Sequence, residues 1–142
     1  MAVWRCDLNK WWCVMSRPIL AAAVLLAACQ ADETVSAYTA VTGAFNLVSI
    51  DGAPFESTAT IDVSEAGKIT GAAPCNRYFA DQTAPYPWFK VGAIGATRMA
   101  CPDLAAETLF LSALAEMTES EVLAGTLILR NEAGREMVFQ TP

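Results

Sequence analysis

Apolar and polar positions alternate along most of the chain after residue 41, and each change of period marks a predicted element. Gly43 to Ile50 reads Gly-Ala-Phe-Asn-Leu-Val-Ser-Ile, a strand-like run that Asp51-Gly52 closes as a turn. Between Ser57 and Val63 the alternation is strict, with Ala59, Ile61 and Val63 on one face and Thr58, Thr60 and Asp62 on the other. Ser64 to Gly67 forms a loop, and Lys68 to Ala72 predicts the return strand of a hairpin. One apolar and one polar face define a half-buried antiparallel sheet. After Cys75-Asn76-Arg77-Tyr78-Phe79 comes Pro85-Tyr86-Pro87, and Trp88 to Gly92 then reads as a strand that enters from a sheet edge. From Pro102 to about Met117 the period becomes helical, with Leu104, Leu111 and Leu114 beside Phe110 and Met117 on one stripe. Pro102 suits the first helical position, and Asp103 suits the positive end of the helix dipole. Glu119-Ser120-Glu121 breaks that period. Thr126 to Arg130, a turn at Asn131 to Gly134, and Arg135 to Phe139 predict a closing hairpin.

Strands before and after a single helix predict an α+β fold, mainly antiparallel β. The expected form is a small curved sheet, or a barrel-like sheet, with one helix packed on it. Parallel βαβ units would need several alternating helices.

The first residues carry a different signal. Pro18 to Ala28 is an eleven-residue apolar run behind Arg17, too short for a bilayer span of about 20 residues. It fits the apolar region of a secretory signal peptide. Leu26-Ala27-Ala28-Cys29 resembles the lipobox of bacterial lipoproteins, the alternative being an ordinary signal peptide with a chance cysteine. The resemblance implies cleavage before Cys29 and lipidation of its sulfur. At about 0.8 kcal/mol per buried methylene, two or three acyl chains hold a protein on a membrane almost permanently. Gln30 rather than Asp after the cysteine implies, by the same resemblance, an outer-membrane lipoprotein facing the periplasm. The organisation read here is a signal peptide over 1–28, a lipidated cysteine and polar tether over 29–40, and one domain over 41–142. Met15-Ser16-Arg17 offers an alternative start with a compact charged region, and with either start residues 1–14 are expected to be absent from the mature domain.

Charge and composition narrow the chemistry. The chain carries a net charge of −6. After Cys29, six basic and fourteen acidic side chains leave −8, the opposite of the clustered Lys/Arg that phosphate backbones require. Nucleic acid is therefore not an expected partner. The chain has no histidine, which excludes Ser-His-Asp and Cys-His nucleophile systems and the His ligands of most catalytic zinc sites. No enzyme activity, no cofactor and no metal site are expected.

Cys75 and Cys101 stand in a segment expected to be exported, where disulfides form. Bridging them closes a loop of about 27 residues and stabilises the fold by roughly 3.5 kcal/mol in the chain-entropy model. A reactive thiol pair is the alternative, and a metal site would need two more soft ligands. Asn76 and Arg77 read first as a turn and a surface pair. The sharper reading draws Arg77 and Arg98 together beside the bridge as a cationic spot for a carboxylate or phosphate. Glu107, one turn into the helix, is then the expected ion-pair partner of either arginine. Tyr78, Phe79, Tyr86, Trp88 and Phe89 are expected to be mostly core. The alternative makes part of this set an exposed patch, or a barrel mouth for an apolar ligand.

Four blocks together resemble the META domain (HslJ-type) family. They are Phe45 to Gly52; Ile69-Thr70-Gly71 with Cys75-Asn76-Arg77-Tyr78; Thr97-Arg98-Met99-Ala100-Cys101-Pro102 with Glu107; and Leu127-Ile128-Leu129 with Gly134 and Phe139. The resemblance spans about residues 42–140. It departs from the family pattern at Phe45, where the family has Trp, and at Pro74 and Ala80, where it has Gly. The resemblance implies a mostly antiparallel, barrel-like sheet with one helix in a small bacterial envelope protein, associated in some members with heat-shock or envelope-stress responses. On this reading the chain is a monomeric, non-enzymatic, lipid-anchored protein of the cell envelope. It acts in envelope maintenance or stress tolerance through contacts with an envelope protein. A periplasmic module holding a small apolar or anionic ligand is the alternative.

Overall fold

The first and last strands of the domain pair with each other, and this pairing organises the larger sheet. In the computed structural model, which describes residues 31–142, β1 (Phe45–Ile50) lies antiparallel to β9 (Glu136–Gln140). The expected signal peptide, the expected lipidation site Cys29, and Gln30 lie outside the described residues. The pairing shifts register between Leu47 and Ser49, and Val48 is displaced to the surface there. The other edge of β1 is shared by two short strands, β2 (Ala53–Pro54) at its end and β3 (Thr60–Ile61) at its start. On the far side the order continues through β8 (Thr126–Arg130) to β7 (Glu119–Leu123). A second sheet holds β4 (Lys68–Ala72), β5 (Arg77–Asp81) and β6 (Gly95–Ala96), in that order. All these pairings are antiparallel, and neither sheet closes on itself. The fold is thus α+β and mainly antiparallel, as curved open sheets with a single helix.

The helix, α1 (Leu104–Glu116), starts two residues later than Pro102 and caps without a side-chain hydrogen bond from Asp103. Its inward face is Glu107, Phe110, Ala113 and Leu114, with Met117 buried just past its end. Leu104, placed on the apolar stripe by spacing alone, is exposed, and Leu111 is only partly buried. Phe110 is the centre of the helix contact: Tyr78 meets it edge-on at 5.4 Å between ring centroids, and Phe55 is tilted against it at 6.3 Å. Around it pack Phe45, Ile61, Ile69, Leu127, Leu129, Met137 and Phe139, each fully or almost fully enclosed.

Four sequence expectations change. Ala59, Ile61 and Val63 are all buried, as the alternation predicts, yet only Thr60–Ile61 forms a strand, and it pairs with β1. The expected hairpin survives as a single bridge between Asp62 and Thr70, while β4 takes β5 as its main partner. Trp88–Gly92 is not a strand. It makes isolated bridges at Trp88 with Glu119 and at Val91 with Gln82, because Pro85 and Pro87 lack the N–H a continuous ladder needs. The expected polar tether ends early: Val35–Tyr38 forms a 3-10 turn with Val35 buried in the core.

Candidate functional site: a polar junction around Glu107 and Asn76

The sequence blocks around the two cysteines converge on one junction between the start of α1, the β4–β5 turn and the segment after β6. Cys75 and Cys101 are joined by a disulfide with their Cα atoms 5.9 Å apart. Beside it, Glu107 projects from the first turn of α1 and is buried. Its Oε2 accepts hydrogen bonds from the backbone N–H of Cys75 at 3.0 Å and of Asn76 at 2.8 Å. Its Oε1 accepts from Asn76 Nδ2 at 2.7 Å. A buried carboxylate held by two main-chain amides and a side-chain amide satisfies both oxygens without a cation.

Asn76 is the hub of this junction. Its Oδ1 accepts from the Met99 N–H at 2.7 Å and from Thr97 Oγ1 at 2.9 Å, and its own carbonyl accepts from the Ala73 N–H at 2.7 Å. Thr97 Oγ1 also accepts from the Arg77 N–H at 3.2 Å. Asn76 therefore joins the β4–β5 turn, the helix and the chain that runs on to Cys101. Read from sequence alone, Asn76 is a surface turn residue and Thr97 carries no role. The only signal for either is its position within the two cysteine blocks.

A second close approach completes the junction. Gly71 in β4 stands opposite Tyr78 in β5. A Cβ on Gly71 would press on the Thr60 carbonyl oxygen and lie 2.8 Å from the Tyr78 ring. Its absence lets the buried Tyr78 hydroxyl donate to that Thr60 carbonyl at 2.8 Å. Burial pushes the Tyr78 phenol well above its ordinary range, so it remains a donor.

Arg77 and Arg98 do not share this interior. Both are exposed on neighbouring segments, joined where the Thr97 N–H donates to the Arg77 carbonyl at 3.0 Å. Neither takes part in an ion pair among the described residues. The expected pairing of Glu107 with an arginine is thus replaced by main-chain and amide donors. Arg98 and Met99 border an open cleft of about 580 Å³ whose other walls include Ile94, Ala96 and Leu104. Among the described residues no group of three His, Cys, Asp or Glu side chains is placed to hold a metal ion.

The aromatic set divides. Tyr78 and Phe89 are core, Tyr86 is half-buried, and Phe79 and Trp88 are exposed. Pro74 and Ala80 fit without strain, since the only non-glycine residues at positive φ among those described are Asp51 and Ala124. Ala80 is buried opposite Ile69 in the β4–β5 pairing, and Phe45 is fully enclosed.

The family model of the META domain matches residues 39–142, and the chain belongs to the META domain family. No curated protein matches it. Among solved structures, an NMR structure of a protein from Burkholderia xenovorans superposes with a TM-score of 0.54 at 22% identity, covering 68% of this chain and 79% of that one. A DUF4847 family protein from Bacteroides vulgatus superposes with a TM-score of 0.58 at 13% identity, over 70% of this chain and 92% of the other. At these identities the likeness is one of fold.

Proposed function

We propose that this META domain protein is a non-enzymatic, lipid-anchored component of a bacterial cell envelope that works through protein contacts in envelope maintenance or stress tolerance. The observation that carries this reading is how the two cysteine blocks divide their side chains. Asn76, Thr97 and Glu107 are taken up by one another and by the main chain, so among the described residues this junction offers no nucleophile beside a free base. Arg77, Phe79, Arg98 and Met99, from the same blocks, face outward. An exposed apolar and cationic set on an acidic domain suits recognition more than turnover. The anchor part of the reading rests on Leu26-Ala27-Ala28-Cys29.

Two measurements test it. The intact mass of protein extracted from membranes of its host is expected to begin at an acylated Cys29 and to rise by two hydrogens on reduction. A photo-crosslinking residue at Phe79 or Arg98 is expected to trap the same envelope protein, while one at exposed Glu132 does not. Reproducible turnover of a small molecule that survives repurification overturns the non-enzymatic reading, and an unmodified N-terminus overturns the anchor.

A further inference from the structure

We infer that the face formed by Tyr38, Tyr86 and Trp88 lies against the lipid surface; this rests on the proposed anchor at Cys29. The chain is pinned to the domain soon after that cysteine. The Glu33 carbonyl accepts the Tyr86 N–H at 2.7 Å, and Val35 is buried. The four residues from Cys29 to Glu33 reach at most about 14 Å when fully extended. A body tied this closely cannot turn freely, and the part of it nearest Glu33 stays nearest the headgroups.

That part is aromatic. Tyr38 stacks on Tyr86 with ring centroids 4.2 Å apart, and Trp88 follows two residues later. Tyr38 and Trp88 are 55% and 56% exposed, although water offers these rings no partner of their own kind. Phe89, the next residue, is buried, so the loop presents Trp88 away from the core. Tyr and Trp are the side chains that favour the membrane–water interface, with an apolar body and a polar edge. Charge selects the kind of bilayer. Asp32 and Glu33 lie at the point of attachment, and Glu119 is bridged to Trp88. This acidic rim suits a zwitterionic surface and is repelled by an anionic one.

Cleavage before Cys29 removes Trp4, Trp11 and Trp12 and leaves Trp88 as the single tryptophan, so its fluorescence reports on this face alone. The test uses the acylated protein from host membranes, reconstituted into phosphatidylcholine–phosphatidylethanolamine vesicles. One batch carries acyl chains brominated near the headgroup. Brominated lipid is expected to reduce Trp88 emission roughly twofold, with matching protection from acrylamide, as for an interfacial ring. Inserting a long Gly/Ser spacer between Gln30 and Ala31 is expected to return Trp88 to solvent. If the protein has the acylated mass and floats with vesicles, but Trp88 stays open to acrylamide and blind to bromine, the apposed face is overturned and the anchor stands. If the mass shows no acyl group and the protein does not float, the anchor is overturned, and the apposed face with it.

Discussion

Glu107 grips Asn76 with both carboxylate oxygens: Oε2 takes the Asn76 backbone N–H at 2.8 Å and Oε1 takes its side-chain amide at 2.7 Å. The pair joins a helix to a strand turn across 31 positions of sequence. It does so directly beside the Cys75–Cys101 bridge, which ties the same strand turn covalently to the segment that leads into the helix. Bridge and carboxylate act on different states. The disulfide restricts the unfolded chain, whereas the carboxylate supplies acceptors that only the folded chain requires.

Replacing Glu107 by Gln should therefore be costly although the two are nearly isosteric. Either orientation of the new amide turns a donor toward a group that itself donates. Leaving buried donors unpaired costs roughly 1–3 kcal/mol each, and a loss of about 3 kcal/mol is expected in urea unfolding with the disulfide intact. A loss below about 0.5 kcal/mol, the range of neutral surface changes, would show that water replaces the carboxylate at no penalty.

The Gly71–Tyr78 pair makes a second prediction. Gly71→Ala puts a methyl group against backbone at Thr60 and against the Tyr78 ring, and overpacking of this kind costs about 1–3 kcal/mol. Tyr78→Phe keeps the ring and strands the Thr60 carbonyl, at about 1 kcal/mol. In the double variant the ring no longer has to hold its hydroxyl on Thr60, so its loss should be smaller than the sum of the two single losses. Thermal unfolding of all three proteins reads the coupling.

What could be read from the sequence follows from where side chains alone decide the structure. β1, β4, the β8–β9 hairpin and the body of α1 show because their apolar residues repeat with the right period. β7 does not show. Glu119 and Glu121 face solvent, and the inward residue between them is Ser120, whose N–H and hydroxyl both donate to the Pro87 carbonyl. A strand that buries a satisfied hydroxyl looks like a polar break. The burial of Glu107, a residue expected to pair with an arginine, is hidden for the same reason: it occupies a core position on α1 that an apolar count rejects. The disulfide was legible from the expected export of the chain and from the two cysteines of the domain. The Asn76 hub was not, because its partners are mainly backbone groups that no side-chain pattern encodes.

Acid stability should depend on Asp51. Its Oδ2 accepts from Arg135 Nη2 at 2.8 Å and Nε at 3.1 Å, and its Oδ1 accepts the Glu136 N–H at 3.0 Å. The Arg135 hydrogen bonds, then that backbone N–H, hold the carboxyl below its ordinary value of 3.8. The unfolded chain therefore binds this proton more tightly. The stabilisation is fully present above pH 3.8 and is lost as pH falls through the lower folded value. Asp51→Asn still tolerates the positive φ of this turn but loses the charge. Its melting temperature should lie below that of the native protein at pH 7, and the difference should close on acidification. Because the pair is at the surface, high salt should narrow the gap as well.

The β7–β8 turn offers a gain. Ala124 and Gly125 sit at φ values of +46° and +82° between Leu123 and Thr126, the two-residue turn whose twist matches paired strands. Gly125 adopts this conformation freely, but the Cβ of Ala124 crowds its own carbonyl at a cost of roughly 1 kcal/mol. Asn at this position tolerates the left-handed region far better, because its short polar side chain bonds locally. Ala124→Asn should raise the urea midpoint by an amount equivalent to about 0.5–1 kcal/mol, with an unchanged denaturant slope, since buried surface is unaffected. Ala124→Val, β-branched at a positive φ, should lower it. A midpoint that falls for both substitutions would mean that contacts of the Ala124 methyl group outweigh the backbone conformation at this turn.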